Sequence, residues 1–162
     1  MPEKNTKKIT ILEVDLKKNE EALELLEELS DSLEAITGNS GKASFSLEDM
    51  QEPRSVFVIA KDCDGKAVGC GAIRSITGDI AEVKRMYARV IGKGVGTEIL
   101  SFLEMRAKGL GYTTLWLETR RINENAVRFY ERNGYLIREN YGKYIGNIEA
   151  VCFEKRLDSS LR

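Results

Sequence analysis

Three glycines at alternate positions stand between a predicted strand and a predicted helix. They are Gly92, Gly94 and Gly96, in the segment IGKGVGT. The first N–H groups of a helix have no partner within the helix and lie at the positive end of its dipole. Glycine lets an anion approach the backbone closely, so this turn favours binding of a phosphate group. A plain flexible connection remains the alternative at this point.

This turn lacks the spacing of two familiar nucleotide-binding motifs. The motif GxGxxG needs a third glycine where Thr97 stands. A P-loop needs Gly-Lys followed by Ser or Thr, whereas Gly92 and Lys93 are followed by Gly94. The turn therefore indicates an anion site that belongs to neither motif.

The predicted strand before the turn has ionisable side chains on both faces. We expect Glu82 and Lys84 on one face and Arg85 on the other, because side chains alternate along a strand. A strand in the middle of a sheet is usually apolar on both faces. The charges favour either an edge strand or a functional cleft.

A stripe on the helix predicted over residues 123–133 is a second candidate. Asn123, Ala126 and Tyr130 follow one another at spacings of 3 and 4, which places them on one side of a helix. A tyrosine in such a stripe fits a hydrophobic core as well as a functional site. The whole segment NENAVRFYERNGY is more distinctive than any one of its residues.

Composition excludes several kinds of site. The 162 residues include no histidine, which excludes Ser-His-Asp and Cys-His catalysis and zinc held by histidine. The net charge of −1 gives no basic excess for nucleic acid. The three cysteines form no CxxC pair, and the N-terminal apolar run is too short for an export signal or a membrane span. We therefore expect a cytoplasmic protein with no metal and no nucleic-acid or membrane partner.

Charge is unevenly distributed along the chain. Residues 13–52 contain 12 acidic and 3 basic side chains, whereas the remainder contains 14 acidic and 22 basic ones. The acidic segment is typical of a solvated helix face and also hints at a cationic acceptor. The basic remainder flanks the glycine turn and suits a small polyanion better than a polymer.

The hydrophobic pattern predicts the elements that position these residues. Strands are predicted over residues 8–14, 56–61, 66–75, 80–88, 113–118, 135–138 and 150–155. Helices are predicted over residues 19–36, 95–109 and 123–133, with a surface loop and candidate lid at 37–46. This order predicts one domain over residues 1–162, with a mixed sheet flanked by helices.

From about Ile80 to Tyr135 the sequence resembles the GNAT superfamily of acetyl-CoA-dependent N-acetyltransferases. The shared features, in order, are a strand, the G-x-G-x-G turn with its helix, an apolar strand ending LWLE, and N-x-x-A-x-x-x-Y-x-x-x-G-Y. The resemblance implies an α+β fold. Its central, mostly antiparallel, seven-stranded twisted sheet would have two splayed middle strands and about four flanking helices.

The resemblance also implies an acetyl-CoA site. Pantetheine would lie between the splayed strands, and the pyrophosphate would lie on N–H groups of the glycine turn. The implied cofactor-binding residues are Met86, Tyr87, Ala88, Lys93, Gly94, Val95, Gly96, Thr97, Asn123, Ala126 and Tyr130. Ile91 stands where the family usually has Arg or Gln, which leaves Arg89, Lys93 and Arg132 as candidates to assist the pyrophosphate.

The implied activity is transfer of an acetyl group from acetyl-CoA to a primary amine by direct attack on the thioester. Glu82 is implied as the general base, with Glu118 as a second candidate, and Tyr130 as the acid at the sulfur. Lys84, Arg85 and Tyr144 are candidates to hold a carboxylate of the substrate.

A non-catalytic acetyl-CoA sensor or interaction module with the same fold is the alternative. Whether the amine belongs to a small molecule or a peptide, and whether the chain forms a homodimer, stays open.

Overall fold

The computed structural model describes residues 8–157, so the predictions for residues 1–7 and 158–162 lie outside it. Within that range, one sheet contains β1 (Thr10–Glu13), β2 (Val56–Lys61), β3 (Ala67–Ser75), β4 (Ile80–Ala88), β5 (Thr114–Arg120), β6 (Leu136–Arg138) and β7 (Ala150–Arg156). The α-helices are α1 (Glu20–Thr37), α2 (Val95–Gly109) and α3 (Glu124–Arg132). Short 3-10 helices lie at Leu16–Lys18, Lys42–Ser44, Leu47–Gln51 and Gly142–Tyr144.

The strand order is β1-β2-β3-β4-β5-β7-β6, and every neighbouring pair is antiparallel except β4 and β5. The parallel pair is short. It runs from Ile80 opposite Thr114 to Glu82 opposite Trp116, although both strands continue well beyond it. The two middle strands therefore diverge after Glu82, which confirms the predicted fold class and its splayed pair.

Helices cover the sheet on both faces. On one face, α2 and α3 pack against a cluster that includes Val83, Leu103 and Phe153. On the other face, α1 packs through Leu25 against a second cluster that contains Ala72. The two faces are called the α2/α3 face and the α1 face below.

A bulge in β4 corrects one prediction. Cys70 pairs with Tyr87 and Ala72 pairs with Lys84, so Arg85 and Met86 together face a single residue of β3. Arg85 has a φ of 56°, which breaks the alternation of side chains. Lys84 and Arg85 therefore both point to the α1 face, and the expectation that Arg85 faces away from Glu82 and Lys84 is wrong.

Candidate active site

The N-terminus of α2 offers unpaired backbone donors. Gly94 caps the helix without any side-chain hydrogen bond, and the first bond within the helix runs from the N–H of Glu98 to the carbonyl of Gly94 at 3.0 Å. The N–H groups of Val95, Gly96 and Thr97 precede that bond and have no partner within the helix. A Cβ placed on Gly94 would meet no atom within 4 Å, so the space in front of this helix end is open to an anion.

The close packing of α3 against α2 depends on Gly96. A Cβ at this position would lie 3.1 Å from two ring carbons of Phe129, tighter than an ordinary van der Waals contact. Because Gly96 has no side chain, the first turn of α2 lies directly against α3. The predicted stripe of α3 is thereby brought beside the anion-binding helix end.

Most of the predicted cofactor residues meet on the α2/α3 face. Met86, Ala88, Ala126 and Tyr130 belong to one apolar cluster. Tyr87 does not join them, because it points to the α1 face, where its hydroxyl donates to Glu28 at 3.1 Å.

Asn123 begins α3 as its N-cap. Its side-chain oxygen accepts from the N–H of Ala126 at 3.3 Å. Capping uses only this oxygen, so the amide nitrogen of Asn123 can still donate to a ligand.

Tyr130 is buried among aromatic rings. Its ring packs edge-on against Phe129 and Tyr135, with centroids 5.0 and 5.8 Å away. Within residues 8–157 its hydroxyl donates to no protein group, and burial raises the pKa of this phenol. Tyr130 therefore stays protonated at neutral pH and has a hydrogen to donate.

Glu82 lies on the α1 face with only 2% of its surface exposed. Its Oε1 accepts from Nε of Arg74 at 3.1 Å, and its Oε2 accepts from the hydroxyl of Tyr141 at 2.6 Å. Nζ of Lys84 lies 3.7 Å from the same Oε2. These contacts leave little of the carboxylate accessible to another molecule.

Lys84 joins this carboxylate to the loop before β7. Its Nζ donates to the hydroxyl of Tyr144 at 3.3 Å. Burial lowers the pKa of the Lys84 ammonium, while the nearby carboxylates of Glu82 and Glu118 oppose that change. The Lys84 cation is thus held inside the site by Glu82 of β4 and by Tyr144 of the loop before β7.

Glu118 has a different environment from Glu82. Burial raises the pKa of this carboxyl, and its Oε2 is buried without a hydrogen-bond partner. Nη1 of Arg120 lies 3.5 Å away as an ion-pair partner, but neither atom has a hydrogen-bond partner among residues 8–157. Of the two candidate bases, Glu118 has the oxygen that is free to accept a proton.

Two contributors were not anticipated as site residues, Tyr141 and Arg120. The sequence prediction ended the strand at Glu118, whereas β5 continues to Arg120. Extending the alternation by two residues would have placed Arg120 on the face of Glu118. No local pattern links Tyr141 to Glu82, which are 59 positions apart.

The basic candidates near the glycine turn differ in availability. Arg89 forms a bidentate pair with Glu28 at 2.8 and 2.6 Å and also donates to the carbonyl of Ala67. Lys93 is exposed and pairs with no acidic group of the described residues. Ile91 is 83% exposed. Arg132, the third candidate, is also exposed and pairs with no acidic group among residues 8–157. Lys93 in the turn and Arg132 at the end of α3 are therefore the cations available.

Residues 8–157 contain neither a metal-binding cluster nor a membrane-spanning helix. No grouping of three or more His, Cys, Asp and Glu side chains there has an arrangement that could hold a metal ion. No helix of that range combines the length and apolarity that crossing a membrane requires.

Comparison with known proteins shows the family of this chain. The family model described as Acetyltransferase (GNAT) family matches residues 22–135. A relative from Azospirillum brasilense, an IAA acetyltransferase, is 30% identical over 138 residues, which span 83% of this chain and 90% of the relative.

Solved structures share the whole fold. One, from Klebsiella pneumoniae subsp. pneumoniae MGH 78578 and assigned as an acyl-CoA N-acyltransferase, is 27% identical with a TM-score of 0.77 over 93% of this chain and 98% of its own. The PaiA N-acetyltransferase of Thermoplasma acidophilum, solved with coenzyme A, is 19% identical with a TM-score of 0.66 over 92% of this chain and 99% of its own.

Proposed function

The chain belongs to the GNAT family of acetyltransferases, and from that premise we propose that it transfers the acetyl group of acetyl-CoA to a primary amine, which attacks the thioester directly. One observation supports this most strongly. The gap between β4 and β5 has an uncapped helix end and apolar side chains on one face and a carboxylate cluster on the other. Such a gap suits a donor and an acceptor that approach from opposite sides.

The residues of the α2/α3 face fit acetyl-CoA, which supplies the acetyl thioester. The N–H groups of Val95, Gly96 and Thr97 would bind the pyrophosphate, with Lys93 as the additional cation. Met86, Ala88 and Ala126 would line the pantetheine chain, and the amide of Asn123 would donate to it. A solved relative of the same fold with coenzyme A supports this assignment.

The acceptor must lose a proton. An alkylammonium has a pKa of about 10.4, so roughly one molecule in a thousand is the free amine at neutral pH. We assign the proton acceptor to Glu118, since its Oε2 has no hydrogen-bond partner and its raised pKa makes it a stronger base than an ordinary glutamate.

Glu82 supports this arrangement as a positioning residue. It fixes Lys84 and Tyr141 through the contacts described above. Proton transfer to Glu82 through a water molecule is the competing assignment. The variants Glu118→Gln and Glu82→Gln separate the two.

Two groups would stabilise developing negative charge. Beyond Glu82, the edge of β4 that faces β5 has no partner strand, so N–H groups near Met86 to Ala88 can donate to the thioester oxygen. The Tyr130 hydroxyl can donate to the departing sulfur. Because the pKa of this phenol is raised and that of a thiol is about 8.5, Tyr130 acts through a hydrogen bond and full proton transfer is uphill.

A thiol-release assay with acetyl-CoA and a panel of amines tests the proposal, with coenzyme A binding measured by calorimetry in parallel. We expect acetylation of at least one amine and slower turnover in Tyr130→Phe at unchanged coenzyme A affinity. Binding without turnover on any amine would favour the sensor alternative. Absence of binding would contradict the acetyl-CoA site itself.

A further inference from the structure

Arg85 has no acidic partner among residues 8–157, although it lies on the face where Arg74 and Arg89 are paired. Arg74 pairs with Glu82, and Arg89 pairs with Glu28. Among residues 8–157, no carboxylate lies within 4.0 Å of the Arg85 guanidinium. Burial lowers the pKa of the Arg85 guanidinium, and the carboxylate that opposes this change, Glu27, is already paired with Lys42 at 3.2 Å.

Neutral groups contact this guanidinium instead. Nη2 of Arg85 donates to the hydroxyl of Ser30 at 2.5 Å, and Nη1 donates to the carbonyl of Ser40 at 3.3 Å. The Phe45 ring lies 5.8 Å below it. Nε is buried and has no hydrogen-bond partner. A cation so placed retains an unsatisfied donor and an uncompensated charge.

The backbone also maintains this position at a cost. Arg85 has a φ of 56°, a left-handed conformation that non-glycine residues rarely adopt because it costs free energy. Such residues cluster at sites where a side chain must be aimed in one direction. Here the bulge turns Arg85 to the α1 face while Met86, the next residue, remains on the α2/α3 face.

The bulge thus places the Arg85 guanidinium on the α1 face of the gap between β4 and β5, the side proposed for the acceptor. Arg85 is next to Lys84, whose own charge is occupied by Glu82 and Tyr144. Part of the acidity of α1 is not available to a cationic acceptor, since Glu21, Glu27 and Glu28 pair with basic side chains.

We infer that Arg85 binds a carboxylate of the acceptor, so that the preferred substrates are amines that also carry a carboxylate, as amino acids do. This inference rests on the proposed function. A carboxylate matches the guanidinium in charge and can accept from its unpartnered Nε. Among the candidates for this role, Arg85 is the one whose charge is not already matched.

The competing explanation is structural, with Arg85 only holding the loop at residues 37–46 against α1. Two variants separate the explanations. Arg85→Gln removes the charge and keeps a polar side chain, whereas Ser30→Ala removes the bond to α1 and keeps the charge. A structural role predicts the same effect for both variants, and substrate binding predicts a specific effect for Arg85→Gln.

The experiment measures kcat and KM on matched acceptors: an amino acid, its carboxamide and its decarboxylated amine. We expect the wild type to prefer the amino acid. Arg85→Gln should raise KM for the amino acid roughly 10- to 100-fold, as for loss of a hydrogen bond between charged groups. KM for the carboxamide and the amine should change little, Arg85→Lys should recover part of the loss, and Ser30→Ala should keep the preference. Melting temperatures check that each variant is folded.

Three results would overturn the inference while leaving the proposed function intact. They are no wild-type preference for the carboxylate, an equal effect of Arg85→Gln on all three acceptors, and the same loss in Ser30→Ala. Acetyl-CoA binding without turnover on any amine would overturn the proposed function, and this inference with it.

Discussion

The two faces of the sheet differ in chemistry where β4 and β5 diverge. On the α2/α3 face, the candidate groups are backbone N–H donors, apolar side chains and a neutral phenol. On the α1 face they are charged, with Glu82, Lys84 and Glu118 close together. Backbone amides do not titrate, whereas carboxylates and amines do. Changes in pH should therefore act on the α1 face, the proposed acceptor face, and leave the α2/α3 face, the proposed donor face, nearly unchanged.

The largest effect should come from the acceptor face. Glu118→Gln should lower kcat/KM by roughly 10² to 10⁴, the usual contribution of a general base. Because burial raises the pKa of Glu118, wild-type activity should fall on the acid side at a higher pH than an ordinary glutamate would give. The pH profile of kcat/KM measures this limb, which the variant should lack.

Glu82→Gln is the matched comparison for that variant. We expect Glu82→Gln to lower the melting temperature as well as the activity, because Arg74 and Lys84 would each lose a buried partner. If Glu82→Gln removed the acid limb and Glu118→Gln kept it, the two assignments would have to be exchanged.

Tyr130→Phe tests the donor face at the sulfur. We expect turnover to fall roughly 10- to 100-fold, as for loss of a hydrogen bond to a charged group. The free energy of unfolding should change by less than about 0.5 kcal/mol, since the hydroxyl has no protein partner in the described part of the chain. A strongly destabilised variant, seen in urea unfolding, would show that the phenol is structural.

Gly96→Ala tests the packing that forms the donor face. The added methyl would lie 3.1 Å from the Phe129 ring and displace α3 from the first turn of α2. Affinity for coenzyme A should fall about 10-fold, in line with the typical cost of overpacking, while the acid limb stays in place. Phe129→Leu in the same chain should restore part of the affinity. If Phe129→Leu restored no affinity, the contact between α2 and α3 would not be the cause of the weaker coenzyme A binding in Gly96→Ala.

The smallest effect is expected for the ion pair between Arg89 and Glu28, a residue of α1. The Arg89 guanidinium holds the pKa of Glu28 below its ordinary value, so this pair stabilises the fold above that value and its contribution is lost as pH falls through the lowered pKa. Glu28→Gln should cost at most about 1 kcal/mol at pH 7, because both side chains are partly solvated. In thermal melts, the difference in stability between the wild type and Glu28→Gln should shrink below pH 4.5, the ordinary pKa of a glutamate. A difference independent of pH would exclude the ion pair as its cause.

The same two faces show how far a sequence can be interpreted. The donor face is formed by residues 86–130, and its glycine turn, helix start and α3 stripe are local patterns. These patterns therefore predicted the helix end and the stripe, whereas the resemblance to the GNAT family implied the proximity of the stripe and the divergence of the middle strands. The side chain of Tyr87 lies apart from the donor face, because the bulge and the alternation of the strand turn it to the other face.

The acceptor face depends on contacts between distant residues. Tyr141 reaches Glu82 across 59 positions, and Arg85 reaches Ser30 across 55. A period-2 pattern cannot locate a bulge, since one inserted residue reverses the face of every residue on one side of it. This is why the orientation of Arg85 was wrong and why the roles of Tyr141 and Arg120 required the tertiary structure.

The most direct test of the central claim is to measure coenzyme A affinity and single-turnover acetylation together in Glu118→Gln and Gly96→Ala. If donor and acceptor sites lie on opposite faces, Glu118→Gln should keep its dissociation constant within about twofold and lose at least roughly 100-fold in the acetyl-transfer rate. Gly96→Ala should lose affinity and keep most of that rate at saturating acetyl-CoA. Parallel losses of affinity and rate in both variants would contradict the division of the site between the two faces.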